Sequence, residues 1–327
     1  MSLELTRTKA IRIASTGAPE VMALEDVDLP PPGPGEVQIR HEAVGLNYID
    51  VYFRSGLYPQ TLPAGIGLEG AGIVTAVGEG AAFAVGDRVA YCDRPPGSYA
   101  QARNMPAKAV VKVPEAIGLD TAAAMMLKGM TVEYLLHRTF AVKPGQTILF
   151  HAAAGGVGLI AMQWAKALGA TVIGTVGSDE KAELARKHGC DYPIVYTREN
   201  FQQKVMEITG GKGVPVVYDS IGKDTFQSSI DCLEAFGMFV SFGNASGPVP
   251  PVPLTALKGS LFLCRPSLMA YTAQRSTLEA MSTKLFEAVS SGKVHIAIDQ
   301  RYPLSEAVQA HHDLEARKTT GSTILIP

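Results

Sequence analysis

Cysteine is scarce in this chain, and its placement argues against two kinds of stabilised structure. The 327 residues include four cysteines, Cys92, Cys190, Cys232 and Cys264, and no two of them form a CxxC pair. Structural zinc sites and disulfide-rich secreted domains place cysteines at short, recurring spacings. The wide spacing therefore predicts buried free thiols in a protein of a reducing compartment.

The chain also lacks an excess of charge of either sign and a long hydrophobic run. Its 29 basic and 31 acidic residues give a net charge of -2, which argues against a protein built to bind nucleic acid or an anionic membrane. The longest apolar stretch, 148–165, contains His151, Gln163 and three glycines, which makes it a poor membrane span. Residues 1–9 lack the apolar core of a secretion signal. These absences predict a soluble, cytoplasmic protein.

The order of hydrophobic patterns predicts two domains. Up to about residue 125, short β-type runs at 37–43, 70–77 and 88–91 are separated by clusters of proline and glycine, with no long helical period before Leu119. After Gly145, predicted strands at 147–150, 171–176, 192–196, 214–218 and 238–242 alternate with predicted helices at 157–168, 179–188, 199–209 and 225–233. This alternation predicts right-handed βαβ units and a parallel sheet.

A third pattern closes the chain. We expect a helix at 276–290, a strand at 294–298, a helix at 304–316 and a strand at 322–326. The tail is too short for an independent domain, so we expect it to pack onto the N-terminal one.

A glycine-rich turn lies between the first predicted strand of the alternating region and the helix after it. Residues 153–158 read Ala-Ala-Gly-Gly-Val-Gly, a dinucleotide fingerprint with Ala153 in place of the first glycine. Gly155 would let the backbone approach a pyrophosphate, and Gly158 would let the helix pack against the strand. A plain glycine-rich turn is the alternative, but the strand–turn–helix–strand order favours a cofactor at the helix N-terminus.

The end of the next predicted strand indicates which dinucleotide is bound. NAD sites usually place an acidic residue there to bind the ribose 2′-hydroxyl, whereas this strand ends Thr-Val-Gly-Ser, with Lys181 following Ser178. Charge-assisted hydrogen bonds contribute roughly 1.5–3 kcal/mol each, so two of them would favour a 2′-phosphate on the order of 100-fold. Asp179 is close by, and its alternative role is a favourable charge in the first helical turn. We therefore expect NADPH rather than NADH.

Several segments together resemble one enzyme family. They are GLNYID at 45–50, RSGLYP at 54–59, GLEGAG at 67–72, VGDRV at 85–89, KGMT at 128–131, AAAGGVG at 152–158, VYDS at 217–220, SFGN at 241–244 and RPS at 265–267. In this combination, which spans essentially the whole chain, the sequence resembles the quinone oxidoreductase (zeta-crystallin-like) family of the medium-chain dehydrogenase/reductase superfamily.

The resemblance implies an α/β fold with two domains and an active site between them. A GroES-like β-rich catalytic domain would comprise 1–126 and 267–327, and a Rossmann domain with a doubly wound parallel sheet would comprise 127–266 and bind NADPH. It also implies a homodimer through the Rossmann domain and NADPH-dependent reduction of quinones or similar conjugated carbonyls.

The resemblance further implies roles for individual residues. Asn47 and Thr131 would contact the nicotinamide half of the cofactor. The pyrophosphate would lie on Ala154, Gly155, Gly156, Val157 and Gly158. The 2′-phosphate would lie on Ser178, Lys181 and Tyr196, and the remaining cofactor contacts would be Phe242, Asn244 and Arg317. Asn47, Tyr52 and Tyr58 would be the catalytic residues, with both tyrosines lining the substrate site. The chain departs from its relatives at Tyr48, where they more often have phenylalanine.

Two positions argue against a catalytic zinc ion. The zinc-dependent relatives place cysteine at the position of Asn47 and histidine at that of Leu68, and a catalytic zinc site needs three N, S or O protein ligands. Glu69 alone is not a site, and we expect it to form an ion pair or hydrogen bond. A quinone or enone is already a hydride acceptor, so the protein need only position it and stabilise the developing oxyanion, for which Asn47 and Tyr52 are candidate donors.

Two other functions stay open at this point. One is reduction of enones or enoyl thioesters on the same fold, and the other is a non-enzymatic, crystallin-like role with NADPH binding. No Ser/His/Asp or Cys/His constellation is evident among the seven histidines, and we expect His311 and His312 on a helix surface.

Overall fold

The computed structural model describes residues 6–327, so the residues before Thr6, which belong to the predicted first domain and to the segment searched for a secretion signal, lie outside the description. The chain forms two compact units. The first comprises the chain up to Met130 together with Thr272–Ser290 and Ile296–Pro327, and the second comprises Thr131–Tyr271 and Ser291–His295. The main divisions thus fall at 130/131 and 271/272, beside the predicted 126/127 and 266/267.

The first unit is rich in strands. Its N-terminal part contains β1 (Thr6–Ile13), β2 (Met22–Leu29), β3 (Glu36–Leu46), α1 (Tyr48–Ser55), β4 (Ala64–Gly65), β5 (Glu69–Val77), β6 (Arg88–Cys92), β7 (Ala102–Pro106), β8 (Val110–Lys112) and α2 (Leu119–Tyr134). Helix α2 runs on into the second unit and ends in a π-helical turn, Leu135–Thr139. The eight-residue α1 is missing from the predicted elements because it is too short to show a helical period.

The second unit is built around a parallel sheet. Its elements are β9 (Thr147–Phe150), α3 (Gly156–Ala167), β10 (Thr171–Val176), α4 (Asp179–Lys187), β11 (Tyr192–Val195), α5 (Phe201–Ile208), β12 (Val214–Asp219), α6 (Phe226–Ile230), β13 (Leu233–Ser241), β14 (Phe262–Cys264) and α7 (Leu268–Tyr271). The strand order is β11-β10-β9-β12-β13-β14, with every pair parallel. This confirms the predicted doubly wound sheet, whose order reverses between β9 and β12.

The chain then returns to the first unit through α8 (Arg275–Ser290), β15 (Ile298–Pro303), α9 (Ala307–Glu315) and β16 (Ser322–Ile326). Strand β16 pairs with β3, and β15 pairs with β16, so the tail extends the order β15-β16-β3-β5-β6-β8, from which β7 branches at β3. A smaller sheet has the order β2-β1-β4.

The predicted strand at 294–298 is wrong. Val294 and Ile296 are buried alternately, as the period suggested, but pairing with β16 begins only where Ile298 lies opposite Ser322. An alternating apolar pattern identifies buried positions, but a segment becomes a strand only when it pairs with a neighbouring strand.

The cysteines are free, as predicted. Cys92, Cys190 and Cys232 are buried, and Cys264 is partly buried. Burial raises the pKa of the Cys190 and Cys232 thiols to about 12. These thiols are therefore protonated at neutral pH. Among the described helices, none combines the length and the apolar character needed to span a membrane.

Candidate active site

The glycine-rich turn begins where β9 ends. His151 is followed by Ala152 at φ 55°, and the Ala153 N–H donates to the Thr175 carbonyl at 3.0 Å. Gly155 is the N-cap of α3 and has no side chain to accept from the first helical turn, whose N–H groups are left for an anion. At Gly158 a Cβ atom would lie 2.3 Å from the Ala152 carbonyl oxygen, so only glycine fits there.

The cofactor candidates of the second unit follow the carboxyl ends of neighbouring parallel strands. Because such ends share one edge of the sheet, the structure brings these residues together. They are Ala154, Gly155, Gly156, Val157 and Gly158 after β9, Ser178 and Lys181 after β10, Tyr196 after β11, and Phe242 and Asn244 after β13. Thr131 lies buried on α2, at the start of this unit.

The acidic residue that complicated the cofactor prediction is paired. Both carboxylate oxygens of Asp179 accept from the guanidinium of Arg198, each at 2.5 Å, and this pairing lowers the pKa of Asp179. Ser178 caps α4 by accepting from the Lys181 N–H at 3.3 Å. Tyr196 keeps 43% of its surface exposed. The sequence analysis does not identify Arg198 as a site residue. The available signal is its position three residues beyond β11, the strand that lies next to β10 in the sheet.

Arg265 organises the loop that carries Phe242 and Asn244. Its NH1 group donates to the carbonyls of Ser241 at 2.9 Å and Gly243 at 3.3 Å. In the amide orientation that satisfies both groups, the Asn244 oxygen accepts from Arg265 NH2 at 3.0 Å. Phe242 packs on Phe150 with ring centres 5.6 Å apart. Arg265 belongs to the RPS motif at 265–267, yet only the fold shows that its side chain holds this loop in place.

In the first unit, Asn47 is held by a buried ion pair. Its Nδ2 donates to Glu69 Oε1 at 3.0 Å, and Lys128 Nζ donates to the same oxygen at 3.1 Å. Glu69 Oε2 accepts from the Leu127 N–H at 2.5 Å. Lys128 Nζ also donates to the Leu46 carbonyl at 3.2 Å. Glu69 thus forms the expected ion pair and hydrogen bonds, and both ionised side chains are nearly inaccessible to solvent.

Asn47 is also the N-cap of α1 and forms a capping box with Asp50, whose Oδ2 accepts from the Asn47 N–H at 2.9 Å. The candidate substrate tyrosines lie on and after the same helix. Tyr52 makes edge-on contacts with Tyr48 and Tyr58, with ring centres 5.6 and 5.2 Å apart. Tyr48 is half-buried in this cluster.

Asn47, Tyr52 and Tyr58 are thus grouped around α1. Arg317 belongs to the same unit and is exposed beyond α9, at φ 58°.

Comparison with known proteins agrees with the observed fold. Residues 33–115 match the family described as "Alcohol dehydrogenase GroES-like domain", and residues 156–287 match "Zinc-binding dehydrogenase". A quinone oxidoreductase of Pseudomonas aeruginosa is 53% identical over 98% of this chain and 99% of its own length. The chain belongs to the quinone oxidoreductase family of the medium-chain dehydrogenase/reductases.

Two further relatives describe the range of this family. A 2-haloacrylate reductase of a Burkholderia species is 47% identical over 96% of this chain and 98% of its own. The crystal structure of Escherichia coli quinone oxidoreductase complexed with NADPH has a TM-score of 0.96 and 48% sequence identity, covering 98% of this chain and 100% of that one.

One family description names zinc, and the described residues show what stands at the corresponding positions. No three His, Cys, Asp or Glu side chains of residues 6–327 come together as a set of metal ligands. Leu68 is fully buried and apolar. Glu69 already accepts from Asn47, Leu127 and Lys128. The donor set of this member therefore does not fit a catalytic zinc ion.

Two interpretations of the histidines need correction. His151 lies in a buried Ser/His/Asp arrangement: Nε2 is 2.8 Å from Ser229 Oγ and 3.7 Å from Asp219 Oδ2, and Nδ1 is 2.9 Å from Thr175 Oγ1. These residues come from the turn after β9 and from β10, β12 and α6, so no sequence spacing reveals them. Burial lowers the pKa of His151, and its fully buried ring supports the turn rather than meeting a substrate. His311 is also fully buried, whereas His312 is exposed as expected.

Proposed function

We infer that this chain is an NADPH-dependent quinone oxidoreductase that works without zinc. The observation that carries this proposal is the full-length similarity to quinone oxidoreductases, with 53% identity to one of them and a TM-score of 0.96 to another complexed with NADPH. The geometry of the second unit supports the cofactor, and the buried pair beneath Asn47 supports the chemistry.

The residues present fit NADPH. The uncapped first turn of α3 would bind the pyrophosphate. The 2′-phosphate would bind to Ser178, Lys181 and Tyr196, where Arg198 pairs with the carboxylate of Asp179. The Glu180 carboxylate is hydrogen-bonded to Ser178, so a phosphate would meet Lys181 and a paired Asp179 beside it. The positive charge of Lys181 and the pairing of Asp179 favour NADPH over NADH. Thr131, Phe242, Asn244 and Arg317 complete the proposed set.

The bound cofactor supplies a hydride, and the protein supplies orientation and electrostatic stabilisation. Glu69 fixes the Asn47 side chain and leaves its second amide hydrogen available for a carbonyl oxygen. We propose that Asn47, together with Tyr52, donates to the substrate oxygen as negative charge develops on it. Tyr58 packs against Tyr52 and keeps its ring in place. A quinone is electrophilic enough to accept a hydride without a Lewis acid, so the missing zinc ligands match the substrate class.

Steady-state oxidation of NADPH in the presence of 1,4-naphthoquinone tests the proposal. We expect turnover with NADPH, a much higher KM for NADH, and unchanged activity after dialysis against a zinc chelator. Loss of activity on chelation with recovery on adding zinc would refute the zinc-free part. NADPH binding without oxidation across a panel of quinones and enones would instead support the crystallin-like role.

A second candidate function is reduction of an activated carbon–carbon double bond. The specific observation in its favour is the 47% identity to a 2-haloacrylate reductase, since haloacrylates, enones and enoyl thioesters are all conjugated alkenes. Comparing kcat/KM for 1,4-naphthoquinone, 2-chloroacrylate and crotonyl thioester decides between the two, because each function predicts a preference of at least an order of magnitude for its own substrate class.

We also propose a cytoplasmic homodimer that forms through the second unit. Strand β14 lies at the edge of the parallel sheet, with Phe262 and Leu263 exposed at 55% and 41%. Leu254 is 84% exposed and Phe236 is 71% exposed. An apolar edge strand tends to pair with another chain, and free thiols fit a reducing compartment. Light scattering should give twice the 34.6 kDa chain mass, and Leu263→Lys should give the monomer.

A further inference from the structure

The first unit buries four polar or ionisable side chains that the proposed reaction does not use. Asp50, Tyr99 and His311 are fully buried, and Arg54 is 2% exposed. They come from α1, from the loop before β7, and from α9. Burying such groups is costly unless they form hydrogen bonds with one another.

The four residues form a single directed chain of hydrogen bonds. Arg54 NH1 lies 3.2 Å from His311 Nδ1, and because a guanidinium only donates, this nitrogen accepts and the imidazole proton is on Nε2. His311 Nε2 then donates to the Tyr99 hydroxyl at 3.2 Å. Tyr99 in turn donates to Asp50 Oδ2 at 2.9 Å. Every hydrogen of the chain therefore points towards the Asp50 carboxylate.

The outer end of the chain is anchored. Arg54 makes two further bonds to Glu315, at 2.8 and 2.9 Å, and Glu315 is one-third exposed. Arg54 Nε also donates to the Gly17 carbonyl at 3.2 Å. Burial lowers the pKa of His311 to about 3, so the imidazole is neutral and keeps the direction of the chain.

The inner end of the chain meets a candidate catalytic residue. Asp50 Oδ2 accepts from both Tyr99 and the Asn47 N–H, while Asp50 Oδ1 is buried with no partner among the described residues. We propose that Asp50 is a positioning residue for the reaction: its ionised carboxylate, supported by Tyr99, His311 and Arg54, holds Asn47 in the orientation that donates to the substrate. This inference depends on the role proposed for Asn47.

Opposing forces place the ionisation of Asp50 near neutral pH. Burial raises the pKa of Asp50 to about 7, against the hydrogen bonds from Asn47 and Tyr99, which lower it. The negative charge of Glu69 raises it further and Lys128 lowers it. The Cys92 thiol is a neutral neighbour, since burial holds its pKa well above the usual value. Asp50 is thus ionised above about pH 7 and protonated below, where it becomes a weaker acceptor for Asn47.

The test is the pH profile of kcat/KM for 1,4-naphthoquinone at saturating NADPH, from pH 5.5 to 9. The wild type should lose activity as the pH falls through about 7, approaching tenfold per pH unit. In Asp50→Asn this pH-dependent fall, the acid limb of the profile, should disappear. Its kcat/KM should stay near the value that the wild type has at the lowest pH and change less than about twofold between pH 6 and 8. Tyr99→Phe removes one donor to the carboxylate, so its limb should move to higher pH by at least half a unit.

A matched control comes from the same unit. Tyr302 donates to Asp313 Oδ2 at 3.0 Å in a more exposed tyrosine–aspartate pair, so Tyr302→Phe should leave the limb where it is. Thermal melts of each variant separate misfolding from repositioning, and Tyr99→Phe tests the idea even if Asp50→Asn does not fold. An acid limb that persists in folded Asp50→Asn, or does not move in Tyr99→Phe, overturns the inference.

Asn47→Ala separates this inference from the function itself. If it lowers kcat/KM at least tenfold while Asp50→Asn keeps the wild-type profile, the proposed function stands and the role of Asp50 is refuted. If Asn47→Ala is fully active, the role of Asn47 fails and the inference fails with it, although NADPH oxidation by quinones would persist.

Discussion

Replacing Lys128 by methionine should destabilise this protein far more than the same replacement of an exposed lysine would. The substitution keeps the length of the side chain but removes the ammonium group that lies 3.1 Å from Glu69. Glu69 is fully buried, so its charge would be left without a cation. Breaking a buried ion pair from one side typically costs about 3–5 kcal/mol.

Protonation of Glu69 in the variant would destabilise the fold by a similar amount. Glu69 in the variant can take up a proton instead of remaining charged, and at pH 7 this costs a carboxylic acid of ordinary strength about 4 kcal/mol. The cost falls as protons become more available, by about 1.4 kcal/mol for each pH unit. The destabilisation should therefore be about 2–3 kcal/mol smaller at pH 5 than at pH 7.

Urea denaturation followed by circular dichroism at both pH values measures these differences. The control is Lys166→Met, which removes a lysine from Asp191 in a pair where the lysine is 54% exposed; such pairs contribute roughly 0–1 kcal/mol. A double variant, Glu69→Gln with Lys128→Met, should be less destabilised than the sum of its two single variants by about 1–3 kcal/mol.

Two results would contradict this prediction: a loss of stability in Lys128→Met no larger than that in Lys166→Met, or an equal loss at pH 5 and pH 7. Either result would mean that water reaches Glu69 in the folded protein. A large loss of kcat/KM beyond the loss of folded protein is also expected, because the Glu69 oxygen that binds Lys128 also holds Asn47.

Three further outcomes follow from named contacts. Arg198→Ala should lower the NADPH/NADH ratio of kcat/KM about three- to tenfold, because it leaves the Asp179 carboxylate without its cation. Adding Asp179→Ala to this variant should restore the ratio. The control Lys204→Ala, which removes a cation from another exposed pair, should not change the ratio. Gly158→Ala should weaken NADPH binding at least about tenfold, measured by quenching of Trp164, since the new Cβ meets the Ala152 carbonyl at 2.3 Å; unchanged affinity would contradict this packing. Folding raises the pKa of Asp50 from 3.8 to about 7, so the folded state binds the extra proton and the free energy of unfolding should fall as pH rises from about 4 to 7, then level off. Urea titrations across this window should show a smaller fall in Asp50→Asn.

The pH dependence of stability and that of activity should therefore run in opposite directions at Asp50. The ionised form that positions Asn47 is the form that folding disfavours. Functional sites commonly retain such locally unfavourable groups, and a single variant, Asp50→Asn, should affect both measurements.

Local patterns in the sequence predict the secondary-structure elements and their order. The predicted strands at 147–150 and 171–176 coincide with β9 and β10, because both faces of a parallel sheet are covered and its strands are continuous apolar runs. The turn at 153–158 was recognisable because its glycines serve backbone requirements within a few residues. Asn47 and Leu68 argue against a zinc site because the identity of each residue alone shows that a zinc ligand is missing there.

Contacts between distant residues are visible only in the folded protein. Arg198 and Asp179 are 19 positions apart, and Lys128 and Glu69 are 59 apart. The chain from Arg54 to Asp50 passes through His311, 257 positions from Arg54, and Tyr99, 212 positions from His311. His311 is expected on a helix surface, yet it is buried. A helix face is buried or exposed according to what packs on it, and a buried charge is tolerated according to its partners, so both depend on contacts that no local pattern contains.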